Sequence, residues 1–139
     1  MIFTVPGAAI AAGLLLLGGR HTPTQLPEFQ YPVRWMFFSL ALMTPAIETL
    51  ILIAPTVVAA RFLSSHWGVC VVGSIPISLL HVIGNDWVRA LIVLWSFVWS
   101  AHCYLRLRAS NEAFGRRYLY LFGMHAVNNA LVVAMLPMV

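Results

Sequence analysis

Four residues able to do acid–base and hydrogen-bond chemistry stand in otherwise apolar surroundings: Glu48, His81, His125 and Asn129. A glutamate can take a proton from water, an imidazole can align that water, and imidazole and amide N–H groups can donate to a developing oxyanion. That inventory suits amide hydrolysis, with Glu48 as general base, His81 holding the same water, and His125 and Asn129 on the oxyanion. His125 and Asn129 have i, i+4 spacing and share one helical face, with Asn128 near it. Asn128 and Thr49, the residue after Glu48, are candidate supporting groups. Glu48, His81 and His125 are also a candidate zinc set, with water as fourth ligand. No contiguous His-Glu-x-x-His motif is present, so a metal-free site ranks first and zinc second. A third reading makes His81 and His125 axial ligands of a haem, which leaves Glu48, Asn128 and Asn129 without a role.

The composition shows what must position these groups. Of 139 residues, 61% are hydrophobic and 9% charged. A soluble domain carries about 25% charged residues, so this chain has too little polar surface to cover a globule in water. Apolar stretches near the ~20 residues that cross a bilayer recur along it. They predict an all-α, polytopic transmembrane bundle of about five spans, over approximately 2–19, 33–60, 66–83, 87–107 and 118–139, forming a single integral membrane domain over 1–139. Pro23, Pro27 and Pro32 oppose a helix in the first connector, and Gly84-Asn85-Asp86 signals a turn. Trp35, Trp67, Trp87, Tyr104 and Tyr118 fall near the expected ends, where amphipathic rings favour the interface. The first apolar run has no Lys or Arg before it and reads as a retained span rather than a cleaved leader.

The net charge of +4 arises from eight arginines and no lysine. Most of them flank apolar runs, which suits lipid headgroups rather than nucleic acid. Arg61, Arg106, Arg108, Arg116 and Arg117 fall on one side of the expected bundle, and Arg20, Arg34 and Arg89 on the other. That bias favours a cytoplasmic N-terminus in a prokaryotic cytoplasmic membrane. Cys70 and Cys103 lie within apolar stretches and read as small buried residues.

An ionisable side chain in mid-span costs at least ~2.5–3.5 kcal/mol on insertion scales, so each requires a reason. At ~1.5 Å per residue, Glu48 lies about 20 Å from both Arg34 and Arg61. On the same scale His81 lies about 22 Å past His66, and His125 and Asn129 about 12 and 18 Å past Arg117. The depths agree to within about two helical turns on three separate helices. Singly, Glu48 could be a protonated hydrogen-bond donor between helices, His81 a donor to a carbonyl, and His125 with its asparagines polar glue. Taken together they favour one site. His66 reads as interfacial and His102 as lying near the arginine-rich end, and neither enters it.

The order and spacing resemble the CAAX prenyl endopeptidase and bacteriocin-processing family of intramembrane proteases. That family carries Glu-Glu-x-x-x-Arg, then Phe-x-x-x-His, then His-x-x-x-Asn, on successive helices. Glu48 matches the leading Glu, with Thr49 at the second Glu and Ile53 at the Arg. The stretch from Ile77 to His81 matches the second motif with Ile for Phe, and that from His125 to Asn129 matches the third in full. The resemblance spans roughly Val33 to Val139 and implies a glutamate-type peptidase without a cofactor. A site at this depth implies a membrane-embedded or lipid-modified polypeptide as substrate. Thr49 and Ile53 keep open a non-catalytic interaction or immunity protein of the same fold.

Overall fold

The structure is a computed structural model that describes residues 33–82 and 87–135; among these there are helices and turns and no strand. The expected span over 2–19, the connector after it and the Gly84-Asn85-Asp86 turn lie outside the described residues. Helix α1 (Val33–Phe38) runs through a π-helical segment (Ser39–Met43) into α2 (Thr44–Phe62). Helices α3 (His66–Leu80), α4 (Trp87–Ala109) and α5 (Phe114–Met135) complete the described bundle.

The π segment has a local cause. The Thr44 N–H reaches back to the Ser39 carbonyl, one residue further than in an α-helix. That carries it past the Leu40 carbonyl, and the next residue, Pro45, has no N–H to offer. Leu40 therefore presents an acceptor that its own helix does not fill.

Two helix ends depart from expectation by three residues or more. The third span was expected to reach residue 83, but α3 stops at Leu80, where the His81 and Val82 N–H groups close i→i+3 bonds to Ser78 and Leu79. His81 is therefore the cap of α3 and not an interior residue. At 15 residues α3 is about 22 Å long, short of a ~30 Å hydrocarbon core. The last helix begins at Phe114 instead of 118, so Arg116 and Arg117 belong to α5 and not to a connector. The α4–α5 turn is compact because Asn111 takes a left-handed φ of 57°. Its N–H then reaches Arg108 and that of Glu112 reaches Leu107, which satisfies the last carbonyls of α4. Tyr104, expected at an interface, is 3% exposed, with the Arg117 guanidinium 5.2 Å from its ring centre.

Among the described residues one segment, Ser39–Phe62, is long and apolar enough by length and composition to cross a membrane. Helices α4 and α5 have 23 and 22 residues but carry arginines, Arg106 and Arg108 in the last turn of α4 and Arg116 and Arg117 early in α5. The core joins Leu52 and Ile53 of α2, Cys70 and Ile77 of α3, Phe97, Val98, Ala101 and Tyr104 of α4, and Leu121 of α5. Large apolar side chains also face outward from these helices, including Ile47, Leu50, Val58, Phe62, Leu79, Leu91, Leu119 and Val127.

Three buried hydroxyls are satisfied within their own helices: Thr56 donates to the Leu52 carbonyl, Ser74 to Cys70 and Ser78 to Ser74. Small residues let α2 and α3 approach closely. A Cβ on Gly73 would lie 2.5 Å from Thr56 Oγ1 and 2.7 Å from Thr56 Cα. The second atom is backbone, so no rotamer change relieves the clash. Gly73→Ala is expected to destabilise the bundle by about 1–3 kcal/mol, read from unfolding titrations in mixed detergent micelles.

Candidate functional site

Glu48, His81 and His125 meet. Glu48 extends from α2, His81 caps α3 and His125 lies midway along α5. One carboxylate oxygen is 3.3 Å from His81 Nε2 and the other is 3.2 Å from His125 Nε2. The three side chains are 13–18% exposed, so they are largely withdrawn from the surface. Helix α4 supplies a wall that the sequence did not single out. Phe97, 4% exposed, has its ring centre 5.9 Å from that of His81 and 5.5 Å from that of His125. The edge-on packing against His125 limits rotation of that imidazole.

Hydrogen-bond chemistry constrains the protons. His81 Nδ1 lies 3.1 Å from the Ile77 carbonyl, which can only accept, so that nitrogen carries a hydrogen. Its Nε2 faces Glu48. Either His81 is an imidazolium donating to a carboxylate, or Glu48 is the acid donating to a neutral His81. Both arrangements place one proton on the Glu48–His81 line.

Asn129, one turn after His125 on α5, spends a donor on the scaffold. Its Nδ2 donates to the Leu40 carbonyl at 2.8 Å, the acceptor left open by the π segment and Pro45. The amide has two N–H groups, so this bond leaves one of them unused. Tyr118 adds a second tie, its hydroxyl donating to the Ala46 carbonyl at 3.2 Å. Asn129→Ala is expected to cost about 1–2 kcal/mol through the orphaned carbonyl, measured by the same micellar titrations, in addition to any loss of turnover.

The supporting candidates divide. Asn128 is half-buried beside Asn129. Thr49 is 2% exposed, so a carboxylate in its place would be deeply buried. Ile53, at the position where the resembled family has Arg, is 5% exposed and belongs to the apolar core.

The three groups of the site can hold a metal by residue type. However, Glu48 turns a different oxygen to each imidazole, so it bridges the rings instead of offering one atom to a shared centre. A second cluster was not anticipated. His66 Nε2 lies 2.9 Å from His102 Nδ1, and the ligand atoms of His66, Cys70 and His102 are all within 4.8 Å of one another. The signal available in the sequence was the i, i+4 spacing of His66 and Cys70. The contribution of His102 depends on how α3 and α4 pair. Comparison with protein-family models, curated proteins and solved structures returns no match.

Proposed function

We propose that this chain is a multi-pass intramembrane endopeptidase of the CAAX-protease type, which hydrolyses a peptide bond in a membrane-embedded or lipid-modified polypeptide. The observation that carries this reading is the Glu48 carboxylate held between His81 and His125, from three different helices. Such a cluster is costly to bury and has to be compensated by hydrogen bonds or by function. The membrane setting is supported by the span Ser39–Phe62 and by the apolar side chains that face outward from α2 to α5.

In the proposed reaction the reactive arrangement is the Glu48 carboxylate with a His81 imidazolium, and a water enters beside Glu48, which takes one of its protons. The water oxygen bonds to the scissile carbonyl carbon. His125 Nε2–H and the second N–H of Asn129 donate to the resulting oxyanion. When the tetrahedral species collapses the C–N bond breaks, and Glu48 returns the proton to the leaving nitrogen. Both carboxylate oxygens face imidazoles, so substrate entry must exchange one of these contacts for the water.

A second reading, a non-catalytic interaction or immunity protein of the same fold, draws on Thr49 and Ile53, which pack as ordinary core residues. The haem reading gains nothing from the geometry, because the Glu48 carboxylate lies between the two imidazoles. Reconstituted protein is expected to cleave membrane-embedded peptides and to spare soluble ones, with turnover unchanged after exhaustive chelation. Loss of activity on chelation and recovery with zinc, in a Cys70→Ser background as well as in wild type, would replace the glutamate scheme by a His81–His125–Glu48 metal centre.

A further inference from the structure

We propose that His66, Cys70 and His102 bind a zinc ion at the junction of α3 and α4, a site separate from Glu48. His66 and Cys70 lie one turn apart on the first face of α3, and His102 approaches from α4. The two rings already share a hydrogen at 2.9 Å, and the three ligand atoms are within 4.8 Å of one another. Tetrahedral Zn–N and Zn–S bonds of about 2.0–2.3 Å require ligand separations of about 3.3–3.7 Å. The two imidazole nitrogens must therefore open by a few tenths of an ångström and the longest separation close by roughly an ångström. His66 is exposed and can make that adjustment, while Cys70 is fully buried and fixed.

Two imidazoles and a thiolate are a donor set that favours zinc over magnesium or calcium, which take oxygen ligands. The surroundings hold the set in place. The Trp67 ring stacks on His102 with centres 4.9 Å apart at 12°, and Trp99 meets His102 edge-on at 5.4 Å. These indoles hold the His102 ring, and the exposed His66 gives water access as fourth ligand. On binding, the ion displaces the Cys70 thiol proton. The imidazole that donates in the His66–His102 hydrogen bond moves its proton to its other nitrogen, so one proton is released per ion. His66 and His81 stand at opposite ends of α3, about 22 Å apart, so the ion would tie α3 to α4 without reaching the Glu48 chemistry.

The test uses the full chain in detergent, without a polyhistidine tag and with a phosphine reductant. Cobalt is the optical probe for zinc. Wild type is expected to bind one equivalent, giving a thiolate-to-cobalt charge-transfer band that added zinc erases. Cys70→Ser, which differs by one atom, is expected to remain helical by circular dichroism and to lose the band. Cys103→Ser and Glu48→Gln are expected to keep it. Zinc should raise the melting temperature of wild type and leave that of Cys70→Ser unchanged. Absence of the band in folded wild type, its survival in Cys70→Ser, or its loss in Glu48→Gln would each overturn the assignment.

Discussion

His125→Ala is expected to destabilise the protein by about 2–3 kcal/mol, because it strips one of two donors from a largely buried carboxylate. The loss falls below that for a fully orphaned charge because His81 remains 3.3 Å from the other oxygen. The coupling is more informative than the single loss. In a Glu48→Gln background the partner is neutral, so His125→Ala should cost at least ~1 kcal/mol less than in wild type. The four proteins form a double-mutant cycle, measured as unfolding free energies in mixed detergent micelles. Equal costs in both backgrounds would mean that Glu48 and His125 are neighbours without an energetic link. Phe97 packs against His125, so part of the single loss is a lost ring contact. The cycle cancels that contribution, since Phe97 is present in every member.

The meeting of Glu48, His81 and His125 was legible because helical rise converts sequence distance into depth, and burial of charge demands partners. Asn129 was legible as a residue but not in its use. Its bond to Leu40 depends on a π turn set by Pro45, and no periodicity in the sequence announces which carbonyl such a turn leaves open. The helical class was readable from composition, and the end of α3 was not. Apolar residues continue past Leu80 through Val82 and Ile83, so hydropathy carries the span onward, whereas the backbone closes into i→i+3 bonds at His81. Tyr104 lies near the end of its helix, but its burial there was not readable. An aromatic near arginines suggests an interface, but α5 begins early enough to bring Arg117 across its ring. His66 and His102 are 36 residues apart, and only the pairing of α3 with α4 brings them together.

These misreadings share a cause. Depth along a helix is set by local geometry and can be counted, whereas the neighbour across a helix pair depends on crossing angle and rotation. The close approach at Gly73 and Thr56 fixes both for α2 and α3. The hydrogen bonds from Asn129 to Leu40 and from Tyr118 to Ala46 fix them for α5. These contacts put three polar groups at one point, and the proposed chemistry depends on that convergence.

Glu48→Gln carries the largest predicted effect on turnover. The amide has nearly the same shape and retains hydrogen-bonding capacity, so packing against His81 and His125 survives while the base is removed. Turnover should fall by roughly 10²-fold or more, the contribution typical of a positioned general base. Substrate binding should persist, because no helix contact is lost. The most direct measurement compares initial cleavage rates of a membrane-embedded peptide by wild type and Glu48→Gln in proteoliposomes, at equal amounts of folded protein. Cleavage by wild type with a loss of at least ~10²-fold in the variant is the predicted result. Equal rates in the two proteins, or no cleavage by wild type of any membrane-embedded peptide presented to it, would contradict a hydrolytic role for Glu48.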